Sequence, residues 1–323
     1  MAQRSRLTLV AAKLETNYGI DAAPTVAANG QLMFARVNPV EIESKVFDVK
    51  ALRQTFSPLP RVVTPASQKW SCESMIQGSG TPGVAPRLDA LLQACQMSAA
   101  VVPGVSVTYT PSSSMPLAGA PQSATIYTYL DGNLHQVPGA VGGFKLSGKA
   151  GEPVKIDFAM QGLYVSPTAQ ANPPGFTTDS FLATFMHNAA LKLKSSVNPN
   201  YYYPTFVAFE FDEGVKLAER ADASSAFAVK GFMPVERNAT LKLTLEADFA
   251  NRNFFPELEQ GALLEAYFSQ GAADGNTALF GFPSAQLVGI KYGDANGIRT
   301  VDLSLALVTT TANADSEFYL KFT

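Results

Sequence analysis

Apolar residues recur at every second position along most of this chain, and that period constrains its fold more than any other feature. Trp70, Cys72, Ser74 and Ile76 alternate with Ser71, Glu73 and Met75, and Ile156, Phe158 and Met160 alternate with Lys155, Asp157 and Ala159. In the C-terminal half, Leu241, Leu243 and Leu245 alternate with Lys242, Thr244 and Glu246, while Val301, Leu303, Leu305 and Leu307 alternate with Asp302, Ser304 and Ala306. Successive side chains on a strand point to opposite faces, so these segments read as half-buried strands. Asp131-Gly132, set between the β-rich run 126–130 and residues 134–137, is a hairpin signal. A mainly β fold follows. With 46% hydrophobic and only 16% charged residues the chain can fill a sizeable core, which excludes intrinsic disorder.

Two segments carry a helical period. After Pro86, the spacing of Leu88, Leu91, Leu92 and Cys95 predicts a helix over 86–97; after Pro256, Leu263, Ala266 and Tyr267 predict another over 256–269. A length of 323 residues suits about two compact units, and Pro167, Asn172, Pro173, Pro174 and Gly175 interrupt the patterning midway. On either side of this break the parts recur in order: a strand (69–77, then 240–249), a proline-initiated helix, then a turn and a strong strand. Val141-Gly-Gly-Phe-Lys145 with Gly151 and strand 155–160 is similar to Val288-Gly-Ile-Lys291 with Gly297 and strand 300–308. The recurrence predicts a tandem duplication of one β-rich unit. The resulting division is an N-terminal arm over 1–17, a first β domain over 18–166, a linker and connecting segment over 167–190, and a second β domain over 191–323. Residues 55–65, with Pro58, Pro60 and Pro65 and no glycine, predict an extended loop. Residues 216–234, rich in Ala and Ser, predict a loop in the second half.

The composition excludes several functions. Lys and Arg number 24 against 27 Asp and Glu, a net charge of −3, whereas gripping nucleic acid through its phosphates needs clustered cations. Cys72 and Cys95 are too few for a disulfide framework or a four-ligand zinc site and read as small core residues. Lys13 and Glu15 interrupt the apolar run that follows Arg4 and Arg6, so no secretory signal is expected, and no apolar run is long enough to span a membrane. His135, after the predicted turn, reads as a surface residue, and His187 as packing or capping. Gly78-Ser-Gly-Thr-Pro-Gly83 lacks the Gly-Lys-Ser/Thr ending of a phosphate loop, and Asp294-Ala-Asn-Gly297 lacks the remaining ligands of a calcium loop; they read as a strand-to-helix loop and a tight turn. The acid pairs Asp212-Glu213 and Glu257/Glu259 share no direction that spacing establishes. Tyr201-Tyr-Tyr203 and Phe254-Phe255 are not interleaved with cations and read as core or subunit contacts. No catalytic, cofactor-binding or metal-ligating residue is assigned, and no enzymatic activity is expected.

Four stretches together resemble the major tail tube proteins of long, non-contractile-tailed bacteriophages. They are Ala124 to His135 around the Asp-Gly turn, Gly139 to Lys145 with Gly151 to Tyr164, the helix Pro86 to Met97 behind its Gly/Pro-rich loop, and Tyr292 to Leu303. The resemblance implies a β-sandwich or rolled-sheet unit with one flanking helix. It implies self-association into stacked rings that form the conduit for DNA ejection, with double-stranded DNA passing without specific binding. Six units around the ring, two per chain, favour a homotrimer with pseudo-sixfold symmetry over a homohexamer. Loops and arms would reach adjacent rings, with 55–65 and the segment before Tyr18 in those positions. The implied partners are the tape measure, tail terminator and distal tail proteins, with no membrane. The implied location is the virion tail, after synthesis and assembly in the host bacterial cytoplasm. Pairing each sheet edge with a neighbour also suits a chain with few charges to blunt its edges. A β-rich virion adhesin or carbohydrate-binding module, stacking sugars on Tyr201 to Tyr203, is the alternative reading.

Overall fold

The computed structural model describes residues 6–31, 36–38, 40–175, 185–309 and 314–323. The first half contains β1 (Thr8–Leu14), α1 (Val26–Asn29), β2 (Gly30–Gln31), β3 (Arg36–Val37), β4 (Glu41–Phe47) and β5 (Val62–Met75). It continues with α2 (Asp89–Ala94), β6 (Met97–Val102), β7 (Ser106–Pro111), β8 (Ala124–Leu130), β9 (Asn133–Lys149), β10 (Lys155–Leu163) and β11 (Thr168–Ala169). The second half contains β12 (Lys192–Ser195), β13 (Phe206–Asp212), β14 (Val215–Ala221), β15 (Val229–Arg237) and β16 (Thr240–Glu246). It ends with α3 (Phe255–Glu259), β17 (Leu263–Gln270), β18 (Ala278–Ala295), β19 (Ile298–Leu307) and β20 (Tyr319–Phe322). The fold is mainly β, as the alternation requires.

Strand order repeats between the halves. Antiparallel pairing runs β1-β8-β9-β10-β5-β4 in the first and β12-β17-β18-β19-β16-β13 in the second. The long strands β9 and β18, of 17 and 18 residues, each pair with one partner along their first part and another along their second. Register repeats as well: Lys145 lies opposite Asp157 across β9 and β10, and Lys291 opposite Asp302 across β18 and β19. The C-terminal part of β9 also pairs with β13, which joins the halves into one sheet ordered β4-β5-β10-β9-β13-β16-β19-β18.

One face of this sheet is sealed by β1, β8, β17 and the first parts of β9 and β18. The core between the layers contains Trp70, Phe144, Phe158, Phe209, Phe211, Leu243, Phe268 and Phe280 and runs without a break through both halves. Phe144 meets Phe211 across the seam at a centroid distance of 5.7 Å, and Phe209 packs on Phe268 at 4.7 Å. Trp70 Nε1 donates to Thr128 Oγ1 at 3.0 Å between the layers. Further joints bind the halves. β20 lies between β18 and β7, and Gly78 N donates to Asn276 Oδ1 at 2.7 Å. Only glycine fits there, because a Cβ on Gly78 would stand 2.0 Å from the Gly275 carbonyl oxygen.

Four expectations need correction. Within the segment taken as a free arm over 1–17, residues 8–14 are sheet: β1 pairs residue by residue with β8, and Val10, Ala11 and Ala12 are buried. Three consecutive buried residues show no alternation, because both faces of β1 are covered. The helix over 86–97 shortens to α2, since Gln96 turns the backbone at φ +61° and Met97 opens β6, although Leu88, Leu91, Leu92 and Cys95 do form its buried face. The helix over 256–269 is one turn, α3, followed by a strand. Gly261, at φ +60°, stops it. Beyond it Leu264, Ala266 and Phe268 are buried at period two, because pairing with β18 seats Phe268 on Phe280 at 4.9 Å. The predicted loop over 216–234 is the hairpin β14–β15, its strands joined through a 3-10 turn at Ala226–Ala228. Within 167–190, β11 pairs with β9; residues 176–184 lie outside the described residues.

Candidate assembly surfaces

The sheet face turned away from the core is polar. Alternation brings Glu73, Lys145, Asp157, Asp212, Lys242 and Asp302 to it, and their charges engage each other across strands. Lys145 Nζ lies 2.7 Å from Asp212, Lys155 Nζ 3.2 Å from Glu73 and Lys242 Nζ 3.2 Å from Asp302. Thr244 Oγ1 donates to Asp302 at 2.7 Å. Asp212 holds the Lys145 ammonium above its ordinary range, while burial, then Glu73, raises the Asp157 carboxyl. Exposed pairs of this kind add little stability. Their effect is on the field: ammonium groups occupied by carboxylates leave few free cations to hold a polyphosphate by counterion release.

The hairpin β14–β15 leaves the sheet at Glu213-Gly214 and packs back on the first half. Phe232 and Val229 join Val141 and Ala66, with Tyr18, Leu163 and Leu217 at the margin. Tyr18 pins it in place: its hydroxyl accepts from Phe232 N at 2.7 Å and donates to the Gly139 carbonyl at 3.1 Å, and burial pushes its pKa up to about 12. Gly231, at φ +146°, lies so close that a Cβ would stand 2.2 Å from the Tyr18 ring. A groove of about 610 Å³ remains between the hairpin's base and the polar face, lined in part by Gly143, Lys145, Asp157, Asp212 and Leu217.

Glu213, at that base, is fully buried; its Oε2 accepts from Phe144 N at 3.2 Å and its Oε1 has no partner. Burial, with a smaller contribution from Asp212, lifts its pKa well above the carboxylate range. The folded chain therefore holds this proton more tightly than the unfolded chain does. That contribution to stability is complete below the ordinary carboxylate pKa and is lost as pH rises through the raised value. Melting followed against pH should show the wild type losing stability above the carboxylate range and Glu213→Gln losing less. Parallel pH profiles would contradict a buried, protonated Glu213.

Beyond the sheet, β4 and the start of β5 extend as a second hairpin, with Val46, Phe47, Val62 and Val63 exposed. Its tip, residues 48–61, forms no strand and carries Leu52 and Phe56 with side chains fully in solvent, but residues 62–65 of the loop expected over 55–65 are strand, Pro65 standing opposite Ser44 near the start of β5. Exposed apolar groups clustered on one projection mark a contact surface.

The motifs weighed for chemistry fall apart in space. His135 is half-buried on β9, its pKa lowered by burial, and His187 is exposed with Nδ1 3.0 Å from the Phe185 carbonyl. The loop after Gly78 packs on the second half, and Asp294-Ala-Asn-Gly297 is the β18–β19 turn, where Gly297 N donates to Asp294 Oδ1 at 3.0 Å. Asp212 faces outward while Glu213 faces inward. Glu257 is buried 2.6 Å from Arg252, and Ser195 Oγ donates to it at 3.1 Å, which ties α3 to β12. Tyr201 and Tyr203 are exposed, but Lys194 already lies 5.8 Å from the Tyr201 ring centroid. Among the described residues no group of three or more His, Cys, Asp or Glu could hold a metal, and no helix is long and apolar enough to cross a membrane.

Sequence reasoning missed Tyr18, Glu213, the Arg252–Glu257 pair and Glu15. The Glu15 carboxylate, buried, accepts from Ser123 Oγ, Thr125 Oγ1, Gly19 N and Gly139 N at 2.6 to 2.7 Å. The one legible signal was an acid close behind an apolar run, Glu15 following Leu14.

No curated protein matches the chain. A family model described as phage tail tube protein matches residues 6–306. That match spans both halves of the mainly β fold, and it leaves one conclusion: the chain belongs to the phage tail tube protein family and is a structural virion protein.

Proposed function

We propose that three copies of this chain, each contributing two duplicated β units (8–166, now with β1 included, and 191–323, with 167–190 between them), close into a ring of pseudo-sixfold symmetry. In this reading the polar sheet face lines the bore. DNA slides past it because the lysines there are already engaged by acids, so the bore neither repels the duplex with a uniform acidic field nor retains it. Rings stack through the hairpin β4–β5, whose tip carries Leu52 and Phe56 towards the next ring. The N-terminal segment no longer serves as a stacking arm, since β1 is committed to the sheet.

The observation that carries the reading is the strand-for-strand repeat within a single continuous sheet: two like units already sit edge to edge inside one chain. The tape measure protein would occupy the bore before ejection, and the tail terminator and distal tail proteins would cap the two ends. The location is the virion tail, after assembly in the host bacterial cytoplasm. Electron micrographs of the concentrated purified chain should show rings and stacked tubes. A preparation that stays monomeric in all assembly conditions would contradict the reading.

A further inference from the structure

Inside one chain the repeats meet along β9 and β13, with Lys145 opposite Asp212 and Lys149 opposite Ala208. The repeated strand order makes β18 the counterpart of β9, and β4 with β3 the counterpart of β13. Register fixes the residues. Lys145 and Lys291 are equivalent because they lie opposite Asp157 and Asp302. Gln161 and Ala306 stand equally far along their strands from those aspartates, and they lie opposite Lys69 and Thr240. Lys69 in turn lies opposite Glu41, and Thr240 opposite Asp212. Asp212 and Glu41 are therefore equivalent, and the counterpart of the Lys145–Asp212 ion pair is Lys291 with Glu41.

Within the chain this second pair cannot form, because its strands lie at opposite margins of the sheet. Among the described residues, β4 pairs only with β5, and the stretch of β18 from Gly289 to Ala295 pairs only with β19. Glu41 and Lys291 are exposed and have no ion-pair partner among the described residues. Near them Val288 and Tyr292 on one margin and Ile42 on the other are also exposed. A long strand margin with unpaired amides and apolar side chains has to be covered or it aggregates.

Building on the ring reading above, we propose that the β18 margin of each chain pairs antiparallel with the β3–β4 margin of a second copy, Lys291 opposite Glu41. The contact reproduces the β9–β13 seam. It joins two different surfaces, so it is heterologous and propagates in one rotational sense, which is the geometry that closes rings. Seams within and between chains then alternate around the bore, each marked by one lysine–carboxylate pair.

The test is a disulfide across the proposed seam. Residues directly opposite on antiparallel strands have Cα atoms about 4.5 to 5.5 Å apart, within the range a disulfide spans. The native Cys72 and Cys95 thiols are buried and pushed up in pKa, so they stay out of the reaction. Assembled Glu41→Cys/Lys291→Cys protein, mildly oxidised, should give a non-reducing gel ladder ending at three chains, while each single variant and Ile42→Cys/Lys291→Cys stay monomeric. As a second readout, Glu41→Lys and Lys291→Glu should each raise the concentration needed for assembly several-fold, and combining them should restore it. Tubes without the cross-link and without charge-swap rescue would overturn the seam and leave the tube reading standing. A wild-type chain that never assembles would overturn both. A ladder ending at six chains would support the seam and overturn the three-copy ring.

Discussion

Deletion of residues 1–17 is expected to abolish folding rather than merely block stacking. The deletion removes β1, and with it seven ladder positions against β8 and the buried Val10, Ala11 and Ala12. It also removes the Glu15 carboxylate, which leaves two hydroxyl and two amide donors without their acceptor. Each buried donor left unpaired costs about 1–3 kcal/mol, and the exposed apolar edge of β8 adds to that. The sum is comparable with the ~5–15 kcal/mol that holds a typical domain together. Soluble expression and circular dichroism decide the matter. The truncated chain should be insoluble or lack a cooperative melt. A soluble, normally melting 1–17 deletion would mean that β1 is dispensable.

The second large effect is Leu243→Lys. Leu243 is fully buried at the centre of β16, opposite Phe209 on one side and Leu303 on the other. An unpaired ammonium there costs several kcal/mol, whether it stays charged or gives up its proton. Because the same core runs from Trp70 to Phe280, the loss should appear as a single cooperative transition shifted down for the whole chain, not as selective melting of the second half. Calorimetry distinguishes these outcomes. An unchanged transition would contradict the burial of this strand, and two separate transitions would contradict a shared core.

The strands with one wet face were legible from sequence because their alternation is clean: β5, β10, β16 and β19 stand where Trp70–Ile76, Ile156–Met160, Leu241–Leu245 and Val301–Leu307 placed them. The Asp131-Gly132 turn was legible because both residues take positive φ, which that dipeptide favours. β1 was hidden because covering both faces erases the alternation. β17 was hidden because Leu263, Leu264, Ala266, Tyr267 and Phe268 satisfy helical and strand periods equally, and only the partner strand β18 selects between them. The hairpin β14–β15 has partly exposed residues on both faces, so its pattern resembles a loop. Buried charges were invisible for a different reason. Glu15, Glu213 and Glu257 differ from surface acids only in which donors the fold brings to them from distant positions, and spacing carries no trace of that.

These features also separate what holds the subunit together from what joins subunits. The aromatic core, Glu15 and the Arg252–Glu257 pair act within the chain. The margins of β4 and β18 and the tip around Leu52 and Phe56 are exposed within the chain, and in the proposed ring they are the surfaces that meet other copies.

A three-dimensional reconstruction of the assembled tube, resolved to individual strands, tests this account most directly. The account predicts three chains per ring, a closed sheet in which within-chain and between-chain seams alternate, and Lys145, Lys242 and Lys291 facing the bore. A ring of six chains, or a bore lined by the opposite face of the sheet, would contradict it.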